Sequence, residues 1–504
     1  MDRAVVRVRL STPLRIEGKE SPIVMEPKPA QTDKTSVTEE AAQEMSEIYV
    51  DPVKEKKILR RLDLRLAPIF MSLYFLSYLN RSNIGNAAIA GMKTQLNLSA
   101  GEYSTSVSVF YATYVGLIFP LVLALRKLKT HRAMTVMSFA WAIVTIGTAF
   151  ARSYGGLVAC RLMLGVCEAG FFPCISLYMT MVYNRREQGL RFAYLFSAMA
   201  LSGMFGGLIA TGITYIGHVG DLQAWSWLYI IEGLISLLVV PWVWFGLPEN
   251  PVKAKWWSAD ELETIEKREL KRQEYMGREA FDWAQVRSAL SDWRVYTGAL
   301  IQFFQDIVLY GFSTFLPSIL KNGLHFDSLQ AQYLSVPVYL LGGISFFTAA
   351  LAGDRFGLRG SILFFQDICA VIGYVLIIKV ESNAVKYFAC YLIAIPLYCG
   401  AGLNEMWIVN NTAPHYRRAT ALGISQAVGN IAGVVSGQIY RTSPYMLGHW
   451  CSLGATLCSM TLIAVQFFYF RSKNHKKDQI IRGEIPDDRK NKTGEDNLEF
   501  RYVY

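Results

Sequence analysis

From about residue 66 onward, long apolar stretches alternate with short charged ones. A helix of roughly 18–20 apolar residues covers the ~30 Å hydrocarbon core of a bilayer. Twelve stretches reach or approach that length. They are 66–91, 104–125, 133–150, 155–180, 190–217 and 226–247, then, beyond a charged gap, 295–320, 331–352, 360–380, 385–406, 418–440 and 446–470. The runs are continuous rather than alternating, which predicts helices and excludes an outer-membrane-type barrel. The pattern therefore predicts an all-α membrane protein with twelve transmembrane helices. Two sets of six, similar in length and joined by a long polar segment, suggest an internal duplication and two pseudo-symmetric six-helix halves. The expected division is a mostly disordered cytoplasmic N-terminal tail (1–65), a first half (66–247), a cytoplasmic central loop (248–294), a second half (295–470) and a cytoplasmic C-terminal tail (471–504), of which 472–504 is charged and also expected to be disordered.

Composition narrows the class. The chain is 52% hydrophobic with 18% charged residues, segregated as a soluble enzyme's would not be. The net charge of +10 is spread over loops, so it points to the membrane's inner face rather than to nucleic acid. Arg126, Lys127, Lys129 and Arg132 follow the second span, and Arg185, Arg186 and Arg191 follow the fourth. Arg355 and Arg359, then Arg417 and Arg418, mark shorter loops on the same side. The positive-inside rule makes that side cytoplasmic, with both termini there. Segment 54–65, with six basic residues, is expected to lie along the inner leaflet. The eight cysteines sit in or at the ends of apolar runs, which argues against a disulfide framework. The first fifty residues lack an apolar signal-peptide core, so the first span would serve as the targeting signal. Asn97-Leu98-Ser99 is a glycosylation sequon on the outer side in this topology.

Ionisable groups inside hydrocarbon cost at least about 2.5–3.5 kcal/mol and need a reason. The first span carries Ser77, Asn80, Arg81, Ser82, Asn83 and Asn86. Arg81, near its midpoint, either joins a helix-packing cluster or forms an anion site facing a cavity, where a guanidinium can grip a carboxylate with two parallel bonds. The fourth span carries Arg161, Gly165, Glu168 and Phe172 on one helix face. Arg161 and Glu168 stand about 10 Å apart along the axis, so each needs another partner. Arg161 has both a structural pairing role and a binding role open to it, and Glu168 is the candidate proton carrier. Gln302, Asp306 and Tyr310 share a face of the seventh span, the counterpart of the first, and are expected to line the same cavity. Glu232 is assigned to helix packing, and Asp367 and Glu405 carry no assignment. Gly429, Gly433 and Gly437 form a small-residue ladder, either a static contact or a sliding seam.

Several motifs coincide. They are Leu79-Asn80-Arg81-Ser82-Asn83-Ile84-Gly85-Asn86-Ala87, the stretch from Arg161 to Pro173, Trp227 to Gly233, Leu247 to Pro251, Gly353 to Arg359, Tyr310 to Pro317 and Gly429 to Gly433. Together they resemble the fungal allantoate-permease-like branch of the anion:cation symporters, within the major facilitator superfamily. The resemblance covers roughly residues 60–470 and implies the major facilitator fold. It also implies proton-coupled uptake of small organic anions, vitamin-like or ureide-like, at the plasma membrane by a monomer. Its first-helix arginine maps to Arg81, and its fourth-helix arginine and glutamate to Arg161 and Glu168. The family usually has aspartate where this chain has Asn80, which concentrates the proton role on Glu168. The loop from Leu125 to Arg132 lacks the Gly and Asp of the superfamily signature.

The resulting expectation is alternating access. Arg81, Asn80, Asn83, Arg161, Gln302, Asp306 and Tyr310 bind the anion, Glu168 carries the proton, and Asp354 with Arg355 latches the cytoplasmic side. The partners are a small organic anion, a proton and the lipid bilayer, with no nucleic acid, cofactor or metal. The alternative is a facilitator or exporter of a fungal secondary metabolite. The six histidines fall in loops, a tail or helix ends, and no phosphate-binding loop is present, so an enzyme or ATP-driven pump is disfavoured.

Overall fold

The computed structural model describes residues 50–125, 129–183, 185–216, 222–251, 254, 256–276, 283–413, 415–487, 495, 497, 498 and 500–504. The predicted tail up to residue 49, and Arg126 and Lys127, lie outside the described residues. The helices are α1 (Pro52–Ala87), α2 (Ala100–Leu125), α3 (Thr130–Thr148), α4 (Tyr154–Glu168), α5 (Phe171–Val182), α6 (Arg185–Ile216), α7 (Ala224–Gly246), α8 (Ala259–Met276) and α9 (Trp283–Leu290). They continue with α10 (Trp293–Ser318), α11 (Ser328–Phe356), α12 (Arg359–Lys379), α13 (Asn383–Leu397), α14 (Cys399–Asn411), α15 (His415–Ile439) and α16 (Met446–Ile481). Among the described residues, ten spans are long and apolar enough to cross a bilayer. The two other expected spans are α2 and α3, of 26 and 19 residues.

Packing repeats between the halves. In the first, α1 lies against α6 and α7, α2 against α4, and α3 against α4 and α7. In the second, α10 lies against α15 and α16, α11 against α13, and α12 against α13 and α16. These are the same neighbours shifted by one half, which is what an internal duplication produces. Among the described residues the halves meet mainly along α1 with α10, α2 with α15 and α6 with α11, and α6 also touches α14. At the first, a side chain on Gly85 would collide with the Thr314 carbonyl oxygen at 2.1 Å, so only glycine permits that approach.

Four elements differ from expectation. The fourth and tenth spans are each two helices. Pro173 lies in the first turn of α5 and cannot donate a hydrogen bond back to the preceding turn, so the helix restarts after Ala169 and Gly170. Pro396 and Gly400 flank the matching break at Tyr398. Segment 54–65 is not a separate element: it begins α1, with Asp51 capping the first turn and Ile58 and Leu62 buried. Its Arg61 pairs with Glu261 of α8, and Asp63 with Arg191 of α6 at 2.5 Å. The C-terminal tail is not loose either. The last span continues as helix to Ile481, and residues 500–504 pack against the second half. There Val503 exchanges two backbone bonds with the Asn411 side chain, Asn474 does the same for Tyr502, and the Tyr502 ring stacks on Phe470 at 4.9 Å.

The end of the bundle that carries these contacts and the Arg- and Lys-rich loops is the basic end. The opposite end is tied between the halves. Ser108 donates to the Val434 carbonyl at 2.9 Å, Gln438 donates to Ser108 at 2.9 Å, and Lys321 donates to the Ile89 carbonyl at 3.2 Å. The glycine ladder lies in this seam, where side chains on Gly433 and Gly437 would strike the Tyr111 ring and Ser108.

Candidate functional site

Helix periodicity places Ser77 and Arg81 four residues apart on the face of α1 that meets α4. Both reach Glu168, the last residue of α4: Ser77 Oγ donates at 3.0 Å and Arg81 Nη2 at 3.1 Å to the same carboxylate oxygen. The break after Glu168 holds the carboxylate at a helix end rather than within a continuous span. The Arg81 side chain is 6% exposed and that of Glu168 is fully buried. Desolvating such a pair costs several kcal/mol per ion, so secondary partners matter. Four rings supply them. The Arg81 guanidinium carbon lies 4.7 Å from the Tyr78 centroid, 4.8 Å from Tyr114, 5.1 Å from Phe110 and 5.9 Å from Tyr111. A desolvated cation–π contact contributes up to about 2 kcal/mol.

The arrangement is stable but incomplete. Arg81 Nε, the second Glu168 oxygen and both side-chain polar atoms of Asn80 are buried without a hydrogen-bond partner. Asn83 accepts from Asn86 at 3.1 Å while its own amide nitrogen is unpartnered. Unmade bonds of this kind cost about 1–3 kcal/mol each, and they leave donors and acceptors available to a guest.

The second half closes the site from across the interface. Tyr111 and Tyr310 meet at 4.7 Å between centroids, and Tyr310 donates to Asn430 at 3.0 Å. Gln302 donates to both Asp306 oxygens at 3.0 and 3.1 Å and accepts from Asn404 at 2.9 Å. Asp306 is in electrostatic reach of Arg81. Arg81, Glu168, Asn80, Asn83, Gln302, Asp306 and Tyr310 are thus all buried around the meeting of α1, α2, α4 and α10.

Two expected site groups lie elsewhere. Arg161 has its hydrogen bond on α7, where its Nη2 donates to Tyr229 at 3.0 Å and its charge faces Glu232, while it stays in electrostatic reach of Glu168 and Tyr111. Asp354 pairs with Arg359 of its own half, while Arg355 is exposed with its guanidinium 5.7 Å from the Phe356 ring. Gly357, at φ 67°, ends α11 in a left-handed cap that favours glycine, which fixes that loop's shape. Asn97 is exposed, in a turn, and Ser99 caps α2 reciprocally with Glu102. Sequence reasoning named Ser77 in the polar cluster of the first span and Asn430 in a motif without giving either a role, and it missed the rings of Tyr78, Phe110, Tyr111 and Tyr114, and Asn404. The four-residue spacing of Ser77 from Arg81 was the signal that could have assigned it.

Residues 70–437 match the family model of the Major Facilitator Superfamily. An uncharacterised transporter of Schizosaccharomyces pombe is 49% identical, over 91% of this chain and 95% of its own length. A high-affinity nicotinic acid transporter of Saccharomyces cerevisiae is 36% identical, over 89% of this chain and 85% of its own. The fold is also similar to an inward-facing bacterial homologue of the human lysosomal transporter Spinster (TM-score 0.61, 14% identity, 80% of this chain and 95% of that one). A D-xylose–proton symporter matches equally well (TM-score 0.61, 14% identity, 79% and 97%). The chain belongs to the major facilitator superfamily and is a multi-pass membrane transporter, not an enzyme.

Proposed function

We propose that this transporter carries a small organic anion, a vitamin-like or ureide-like carboxylate, together with a proton by alternating access at the plasma membrane. The observation that carries the proposal is the buried Arg81–Glu168 pair at the interface between halves. A carboxylate arriving beside Arg81 competes with Glu168 for the same guanidinium. Glu168, displaced into an apolar surround, takes up a proton. One anion and one proton then cross together, and the step is electroneutral. The 36% identical relative named as a nicotinic acid transporter supports a carboxylate of this kind. Assignment to the allantoate-permease-like branch is part of the same proposal.

Energetics give the proton its purpose. Importing a monoanion against an inside-negative potential costs about 2.3 kcal/mol per 100 mV. A co-transported proton cancels that and adds about 1.4 kcal/mol per pH unit. Asn80, Asn83, Gln302, Asp306 and Tyr310 orient the guest. Arg161, bound to Tyr229, takes the structural of its two roles. The basic end faces the cytosol, Asp354 with its loop restrains that end, and Asn97 is the glycan site. Asn80 in place of an acid favours the second reading, a facilitator or exporter.

The test is uptake of labelled nicotinate by yeast lacking its own nicotinate transporter, under an imposed pH gradient. The native chain is expected to accumulate label when the outside is the more acidic, and Glu168→Gln to lose the pH response. Full pH-driven accumulation by Glu168→Gln would remove Glu168 from the mechanism, and efflux without uptake would establish the second reading.

A further inference from the structure

The buried charges of the two halves are not mirror images. The middle of the spans in the first half holds Arg81 and Arg161 with Glu168 and Glu232. The second half holds Asp306, Asp367 and Glu405, and no Lys or Arg stands in the middle of any of its spans. Asp367 is satisfied within its own half by Gln305 and Ser459, each at 3.2 Å. Asp306 and Glu405 are different. They interact with one another electrostatically, Asp306 with Arg81, and Glu405 with Tyr74 and Tyr114 across the interface. Glu405 is 4% exposed, and its Oε1 has no hydrogen-bond partner.

The fold marks Glu405 a second way. α14 begins at the break of the tenth span, the position that corresponds to the break beside Glu168 in the fourth. Interrupted helices at matching positions of two repeats are where such transporters place their ligand sites. Glu168, at one break, is neutralised by Arg81, whereas Glu405 stands six residues into the helix that follows the other and, among the described residues, forms no ion pair. A site for a plain carboxylate would need Arg81 alone, and two further carboxyl groups facing it would repel the guest.

We infer that the substrate is bipolar: its carboxylate sits on Arg81 of the first half, and a nitrogen that bears or shares a proton sits on Asp306 and Glu405 of the second. The body between the poles is flat, held among the rings of Tyr78, Tyr111, Tyr114 and Tyr310. A protonated nitrogen meets an ionised carboxyl, and a neutral ring nitrogen accepts from a protonated one, so one shared proton serves in either form. This rests on the anion-transport proposal and adds the second pole to it.

The experiment uses the full-length chain in lipid nanodiscs, titrated calorimetrically with nicotinate (both poles), benzoate (acid alone) and 3-methylpyridine (nitrogen alone). The native chain is expected to bind nicotinate at least about tenfold more tightly than either single-pole compound. Glu405→Gln and Asp306→Asn are expected to shrink the nicotinate-to-benzoate ratio toward one by weakening nicotinate. Equal affinity for nicotinate and benzoate in the native chain overturns the second pole and leaves anion binding standing, as does a ratio unchanged in both variants. Equal affinity for 3-methylpyridine and nicotinate, or no binding of either acid, overturns the anion reading and this inference with it.

Discussion

Two arginines lie buried in the first half, and their surroundings differ in the way the proposed contrast between a binding site and a brace requires. Arg81 faces the interface between halves. Its carboxylate partner sits at a helix break, its rings belong to α1 and α2, and Tyr310 of the other half completes the cage through Tyr111. Arg161 faces inward to the same half, bonded to Tyr229 of α7 and near Glu232. Both are costly to bury, and both keep an unpartnered Nε. Only the first lies beside the seam between the halves, which the proposed alternating access would move. Residue type and burial are thus the same, and position relative to that seam is what differs.

The largest expected effect breaks the first member of the comparison. Arg81→Gln removes the guanidinium and strands Glu168, so uptake is expected to fall at least about a hundredfold. Losing one partner of a buried pair also costs about 3–5 kcal/mol. The double variant Arg81→Gln/Glu168→Gln separates the two effects. It is expected to recover thermal stability, read by differential scanning fluorimetry, while uptake stays lost. A correctly delivered Arg81→Gln chain that transports at the native rate would end the anion-site argument.

Arg161→Gln should act on folding instead. It loses a charge-assisted bond to Tyr229 and leaves Glu232 without a nearby countercharge, a loss of about 1.5–3 kcal/mol. Uptake per folded molecule should stay within about threefold of native. If uptake collapses while the melting temperature holds, Arg161 belongs to the site and the contrast between the two arginines fails.

How much of this was legible beforehand follows from what each signal measures. Apolar run length reports the bilayer, so the twelve spans and the pairing of two six-helix sets were readable. Arg81, Glu168, Gln302 and Asp306 stood out because a charged or amide group in hydrocarbon is conspicuous at any position. Tyr111, Tyr114 and Phe110 did not, because aromatic residues on an apolar helix look the same whether they face lipid, core or site. The helix breaks at Ala169 and Tyr398 hid inside continuous hydropathy, although Gly170, Pro173, Pro396 and Gly400 were there to be weighed. The C-terminal segment was misjudged for a similar reason. Its polar composition resembles disorder, and its order comes from tertiary partners such as Asn411, Asn474 and Lys477, the last bonding the carbonyls of Glu495, Asn497 and Phe500.

That segment offers a milder test of the seam argument, because its described contacts lie with α10, α12, α14 and α16 of the second half. A strap confined to one half should stabilise without gating. Asn411→Ala removes both bonds to Val503 and is expected to cost about 1–3 kcal/mol. Carboxypeptidase should release the last residues faster, with uptake per folded molecule little changed. A strong loss of transport at native stability would mean that the strap is part of the gate.

The smallest effect concerns acidity at the same strap. Burial alone would raise the Asp292 carboxyl, but Arg294, which bonds it at 2.6 Å, and Arg417 outweigh that and hold it below the ordinary value. A carboxylate depressed in the folded chain contributes stability above its ordinary pKa of about 4 and loses it as pH falls through the depressed value. Arg294 and Arg417 also grip Glu495 at 2.6 and 3.5 Å, so Asp292 holds in place the two cations on which the strap is anchored. The strap is read across this range by hydrogen exchange at the Val503 amide, corrected for intrinsic rate. Protection is expected to be flat from pH 8 to 5 and to fall only below about 4. A fall centred near pH 6 would assign the clamp to a different titrating group.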